Sequence, residues 1–179
     1  MSKQSNKLLH IATIGKTVGL GGDMKLHIKS DFPEQFKKGA SFFINENETL
    51  TISDINHERS LIKFVGYRSP EDAKKLTNKN LYTTIERTRK ECHLEKGEHF
   101  WFDIEGCNVV EDGKVLGVVD EVDRMGITNY LFVITDEALV KSGFAKVFLI
   151  PYREPFALNT DIKEKVITVS GAMDILEAS

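Results

Sequence analysis

Cysteine is nearly absent from this chain. Two residues in 179, Cys92 and Cys107, leave no disulfide framework and exclude a stapled secreted miniature fold. Long apolar runs are missing as well. No stretch nears the roughly 20 apolar residues of a membrane span, and the opening MSKQSNKLLHIATIG holds no signal-type apolar segment. Four prolines are too few for a proline-rich recognition tract. What remains is 41% hydrophobic and 28% charged, the make-up of an ordinary globular protein. The expectation is a cytoplasmic protein of one domain or two small ones, with no membrane contact.

Net charge is small, at −3, but it is unevenly spread. Residues 1–91 carry 16 Lys and Arg against 11 Asp and Glu, or +5; residues 92–179 carry 8 against 16, or −8. Two halves of opposite sign predict unlike partners, the basic one suited to a polyanion. Drift in solvated surface charge is the plainer alternative.

The stretch GEHFWFDIEGCNVVEDGKVLG, Gly97 to Gly117, organises the rest. It contains the single Trp, flanked by Phe100 and Phe102, and it follows Arg87–Lys96, where apolar residues almost vanish. That polar run reads as a connector, and the aromatic segment as the first strand of a second unit. Strand parity predicts Trp101 inward, filling a core, and Phe100 outward with His99, toward a partner.

The first half reads mostly as β. Leu8–Ile14 is an apolar run, and Met24–Ile28 alternates with period two. Between them GKTVGLGGD, residues 15–23, is a glycine-rich connection able to turn sharply and expose backbone N–H groups to phosphate. It is neither a Walker loop nor a dinucleotide fingerprint, because a strand pattern follows where each needs a helix. Asp31–Glu34 reads as a turn or a single helical turn. Strands are expected at residues 40–44, 49–55, 61–67 and 81–85. Ser69-Pro70-Glu71-Asp72-Ala73 is the clearest helix start, with a capping hydroxyl, proline at the first position and acids in the first turn. Six short strands and one helix suggest a small barrel.

The second half repeats the β character without repeating the sequence. Residues 107–110 and 115–122 read as a hairpin about Asp112-Gly113. Residues 130–134, 146–151 and 166–169 supply further strands, Asn159–Ile162 a turn, and Met173–Leu176 a closing helical turn. A second barrel or tightly twisted sheet is expected.

Nothing in the chain assembles a catalytic site. Asp103 and Glu105 sit two apart, which on a strand makes a solvated edge. Cys92, His93, His99 and Cys107 have zinc-capable side chains but no paired ligand spacing. No catalytic residue, metal or cofactor is expected.

Taken in order, several segments resemble the bacterial ribosome maturation factor RimM family. They are Ile14-Gly15-Lys16 with Gly19-Leu20, then Gly22-Asp23-Met24-Lys25-Leu26, Asp31-Phe32-Pro33-Glu34, and Arg68 to Ala73 with Leu76. Glu98 to Asp103, Gly106-Cys107, Gly126 with Asn129, Leu149 to Tyr152, Asp161 and Ile167-Thr168-Val169 complete them. The resemblance spans nearly the whole length. It implies a mainly β chain of two small β-barrel domains: a translation-factor-type N-terminal barrel at residues 1–87, a polar linker at 88–97 and a C-terminal PRC barrel at 98–179. It implies a monomeric, non-enzymatic assembly factor that binds the head of the immature small ribosomal subunit and assists rRNA processing. The partners implied are the subunit's rRNA and small-subunit ribosomal protein nineteen.

By the same resemblance Lys16, Gly19, Gly22 and Lys25 face the subunit and its rRNA, and His99, Phe100 and Trp101 face the ribosomal protein. Two positions depart from the family pattern. Val18 and Gly21 stand where histidine and a basic residue are common, which throws the loop's charge onto Lys16 and Lys25. His99-Phe100 stands where a tyrosine pair is favoured, which removes two phenolic hydroxyls. The alternative from another class is a general two-barrel RNA-binding or adaptor module not tied to the ribosome.

Overall fold

The structure, a computed structural model, describes residues 7–179. The reading of the chain's start as leaderless rests partly on residues 1–6, which lie outside the described residues. The chain is mainly β and divides into two compact units, residues 1–93 and 94–179.

In the first unit, β1 (Leu8–Val18), β2 (Asp23–Ile28), β3 (Ser41–Phe43), β4 (Thr49–Asn56), β5 (Leu61–Phe64) and β6 (Asn80–Thr84) close a barrel in the order β1-β2-β5-β4-β3-β6. Alternation drives the closure. Met24 and Leu26 of β2 point inward, as do Leu50 and Ile52 of β4, and they meet Ile14, Phe36, Phe42, Ile62, Phe64 and Leu81 in one core. Helix α1 (Pro70–Lys74) forms as the capping pattern predicts: the Ser69 hydroxyl accepts from the Asp72 N–H at 3.2 Å. Its Ala73, with Leu76 beyond it, joins the core.

His10 lies on the β1–β6 seam, its ring 5.5 Å from that of Tyr82. Burial, reinforced by the Lys29 ammonium, pulls its pKa below the ordinary value of 6.5, against hydrogen bonds at Ala12 and Asn80 that favour the charged form. The folded protein therefore binds this proton less readily than the unfolded chain. The stability contribution is present above about pH 6.5 and is lost as pH falls toward the depressed folded value. His10→Gln should flatten part of the loss in urea midpoint between about pH 7 and pH 5. An unchanged pH slope would count against it.

A polar connector over residues 88–97 was the expectation, and its first part is instead a helix. Helix α2 (Ile85–Glu91) starts on the Thr84 hydroxyl, which accepts from the Arg87 N–H at 3.1 Å. Arg87 donates to the Ser41 carbonyl and, at 3.0 Å, to Glu91, while its guanidinium stacks 4.7 Å over the Phe42 ring. The charge that made this run look like a linker is what fastens it to β3. Cys92 is buried at its end, and burial with the Glu34 and Glu91 carboxylates pushes its thiol up to about 11, so it is no nucleophile.

The second unit holds β7 (Asn108–Glu111), β8 (Lys114–Met125), β9 (Thr128–Thr135), β10 (Val147–Pro151), β11 (Ala157–Asp161) and β12 (Val166–Val169). They form one six-stranded sheet, β10-β9-β8-β7-β12-β11, in which only β12 and β7 run parallel. Its core gathers Val109, Val119, Val133, Phe148, Ile150 and Ile167. Residues 157–161, where a turn was expected over Asn159–Ile162, are the edge strand β11. Its polar residues suit an exposed edge, and the Tyr152 and Thr160 hydroxyls bond at 2.7 Å. Helix α4 (Glu137–Lys141) was not anticipated; the Asp136 carboxylate caps it by accepting from the Ala138 N–H at 3.0 Å. Helix α5 (Ala172–Glu177) is held at its start by Glu111, which accepts from the Met173 N–H at 2.8 Å.

Candidate functional site

Two surfaces contain the residues singled out by sequence. The first is the β1–β2 turn. Strand β1 runs on through Gly15 and Lys16 to Val18, past a bulge between Ile14 and Thr17, so the turn proper is only Gly19 to Gly22. Gly15 is small because a Cβ there would meet the His27 ring and the Lys25 Cβ, each at 2.9 Å. Gly22 is demanded twice over: its φ is +85°, and a Cβ would stand 2.4 Å from the Tyr67 carbonyl. Gly19, at φ +70°, has open space around it. Leu20 protrudes at the tip, 89% exposed.

Lys16 is exposed, and its ammonium has no partner among the described residues. Lys25 is half-buried and donates to the Arg59 carbonyl at 2.9 Å. Beside the turn lies a shallow cavity of about 350 Å³, lined in part by Gly21, Ser53, Lys63, Tyr67 and Arg68. Lys63 is paired with Asp23 at 3.6 Å. Lys63 and Arg68 are cations the sequence reading missed; they come from β5 and the segment after it, and only closure of the barrel brings them to the turn.

The second surface is the aromatic segment, and here the strand expectation fails. Residues Trp101–Ile104 form a short helix, α3, whose N-cap is Phe100. The N–H groups of Asp103 and Ile104 both donate to the Phe100 carbonyl, at 3.0 and 3.2 Å. A helical turn reverses the assignment made by alternation. Phe100 is 7% exposed and stacks on Phe102, ring centroids 5.1 Å apart. Trp101 and His99 are half-buried, Trp101 packing against the edge of the core. Ile104, four residues beyond Phe100, is fully buried, which is helical spacing, and Cys107 is buried beyond the helix's end. Asp103 and Glu105 consequently do not share a strand face. The Asp103 carbonyl accepts from the Lys165 ammonium at 2.6 Å and from the Cys107 thiol at 3.5 Å. Burial raises the Cys107 thiol above its ordinary value, although the Lys165 ammonium pulls the other way.

Among the described residues no group of three or more His, Cys, Asp and Glu side chains is placed to hold a metal ion. Nor is any helix among them long and apolar enough to cross a membrane. What both surfaces offer is binding chemistry: exposed cations around a glycine turn in one unit, and a partly exposed aromatic turn in an acidic second unit.

Comparison with known proteins places each unit. Residues 9–88 match the RimM N-terminal domain, and residues 101–175 match the RimM PRC barrel domain. The ribosome maturation factor RimM of Sulfurimonas denitrificans is 89% identical over 179 residues, all of both chains. Those of a Sulfurovum species and of Aliarcobacter butzleri are 51% and 49% identical, again over the full length of each chain.

Proposed function

The chain belongs to the RimM family of ribosome maturation factors, and on that premise we propose that it assists assembly of the small ribosomal subunit. In this reading it binds the head of the immature subunit as a cytoplasmic, non-catalytic monomer. Its first unit faces rRNA, and its second faces a basic partner, small-subunit ribosomal protein nineteen. One observation carries the reading: the charge division follows the division into units. Residues 1–93 hold 16 Lys and Arg against 11 Asp and Glu, and residues 94–179 hold 8 against 16. A positive barrel approaches phosphates, and a negative one meets a basic protein through complementary potential.

Within unit 1, Lys16 is the strongest phosphate contact and Lys25 the weaker, because the Lys25 ammonium already donates to Arg59. Gly19 and Gly22 shape the turn that presents Lys16. Within unit 2, the half-buried His99 and Trp101 of the aromatic turn meet the partner, and Phe100, buried and stacked on Phe102, belongs to the turn's support.

Lys16→Ala should weaken binding to immature subunits and lower the slope of log K against log salt by about 0.7–0.9, the value of one phosphate contact. Lys25→Ala should change both by less. Equal effects, or an unaltered slope, would tell against this loop. The reading as a whole is tested by sedimenting the tagged chain with immature small subunits, mature small subunits and free rRNA. Preferential co-sedimentation with the immature particle supports it. Equal affinity for free RNA would replace it with a general RNA-binding adaptor.

A further inference from the structure

The outer face of the second unit's sheet departs from what a half-solvated sheet should show. Such a sheet buries one face and turns polar residues outward on the other. The inner rows obey: Val119, Val133 and Phe148 stand side by side across β8, β9 and β10, all buried. The outer row beside them is Val118, Ile134 and Val147, in register on the same three strands and 40%, 50% and 49% exposed. The next outer row continues it with Leu149 and Phe132, and there β8 contributes Glu121. One row further, β8 contributes Asp123 opposite Tyr130. The result is an aliphatic and aromatic strip on β9 and β10 with a carboxylate edge on β8.

We propose that this face is the docking surface by which unit 2 grips its partner, and that the partner is a protein presenting apolar side chains beside Lys and Arg. The proposal rests on the partner reading above and moves the main grip from the aromatic turn, whose Phe100 is buried, to the sheet. The carboxylate edge selects the occupant. A second copy of this chain docking through the same face would bring Glu121 and Asp123, on a unit of net charge −8, against a surface of the same sign. Polyanionic RNA would meet the same repulsion. A basic protein gains on both counts, burying the strip and pairing the carboxylates.

The test uses the full chain and purified small-subunit ribosomal protein nineteen, with affinity read by calorimetry. One variant, V118T/I134T/V147T, keeps β-branched side chains on solvent-facing strand positions, so the sheet is retained. Another, E121K/D123K, leaves the strip and reverses the edge. The first should weaken binding about tenfold or more. The second should weaken it and reduce its salt dependence. Both variants binding as wild type does, with unchanged melting, overturns the face while leaving the partner reading intact. Absence of wild-type binding overturns both. A wild-type dimer that the first variant dissolves overturns the choice of occupant.

Discussion

Replacing Gly22 by alanine should cost the first unit ~3 kcal/mol or more, against about 1 kcal/mol for the same change at Gly19. Both glycines sit in one turn with positive φ, so conformational preference alone would make them alike. What separates them is space. A methyl on Gly19 points into the open, whereas on Gly22 it is driven to 2.4 Å from the Tyr67 carbonyl and 3.3 Å from the Arg68 Cα. Neither neighbour is a flexible side-chain end, so relief requires the backbone that carries Tyr67 and Arg68 to withdraw. Urea unfolding of the two variants reads the difference directly, and near-equal midpoints would refute the close-approach argument. The result also governs how binding data on this turn are interpreted. A Gly22 variant that fails to bind subunits has lost the shape of the turn, and only Lys16 and Lys25 variants report on phosphate contact.

Much of this architecture was legible in the residue pattern. Period-two alternation at Met24–Ile28 and the capping sequence Ser69-Pro70-Glu71-Asp72 carry their own physical causes, and strand β2 and helix α1 follow them. The glycine loop was read too long, because glycines signal turns whenever they are close together. Gly15 is instead a packing glycine within a strand, needed where β1 and β2 approach closely at a bulge. Residues 87–91, read as the start of a connector, misled in the opposite sense. Charge-rich sequence resembles linker until a partner is seen, and Arg87 finds its partners, Ser41 and Phe42, back on β3.

The candidate sites were legible in part. Lys16 and the turn glycines lie together as the sequence implies, but Lys63 and Arg68 join them only through barrel closure, which no local pattern records. The outer face of β9 and β10 did leave a trace. Tyr130 to Ile134 and Val147 to Pro151 are continuous apolar runs, the signature of strands covered on both faces. Reading each run simply as a strand does not ask what covers its second side.

The aromatic segment shows the opposite error, and its test is the second large expected effect. Read as a strand, Phe100 is an outward anchor whose loss spares the fold. In α3 it is the buried N-cap residue, stacked on Phe102 at an interplanar angle of 11°, with its carbonyl accepting from the Asp103 and Ile104 N–H groups. Truncating a buried phenyl removes its transfer free energy and leaves a cavity, together about 3 kcal/mol at a site this enclosed. Phe100→Ala should therefore lower the melting temperature of the second unit by many degrees. His99→Ala, which truncates a half-buried ring, should lower it far less. Partner affinity measured well below the transition then separates support from contact. Were Phe100 an anchor, affinity would fall tenfold or more with melting unchanged. As a support, it should surrender stability first, and binding only to the extent that Trp101 shifts with it.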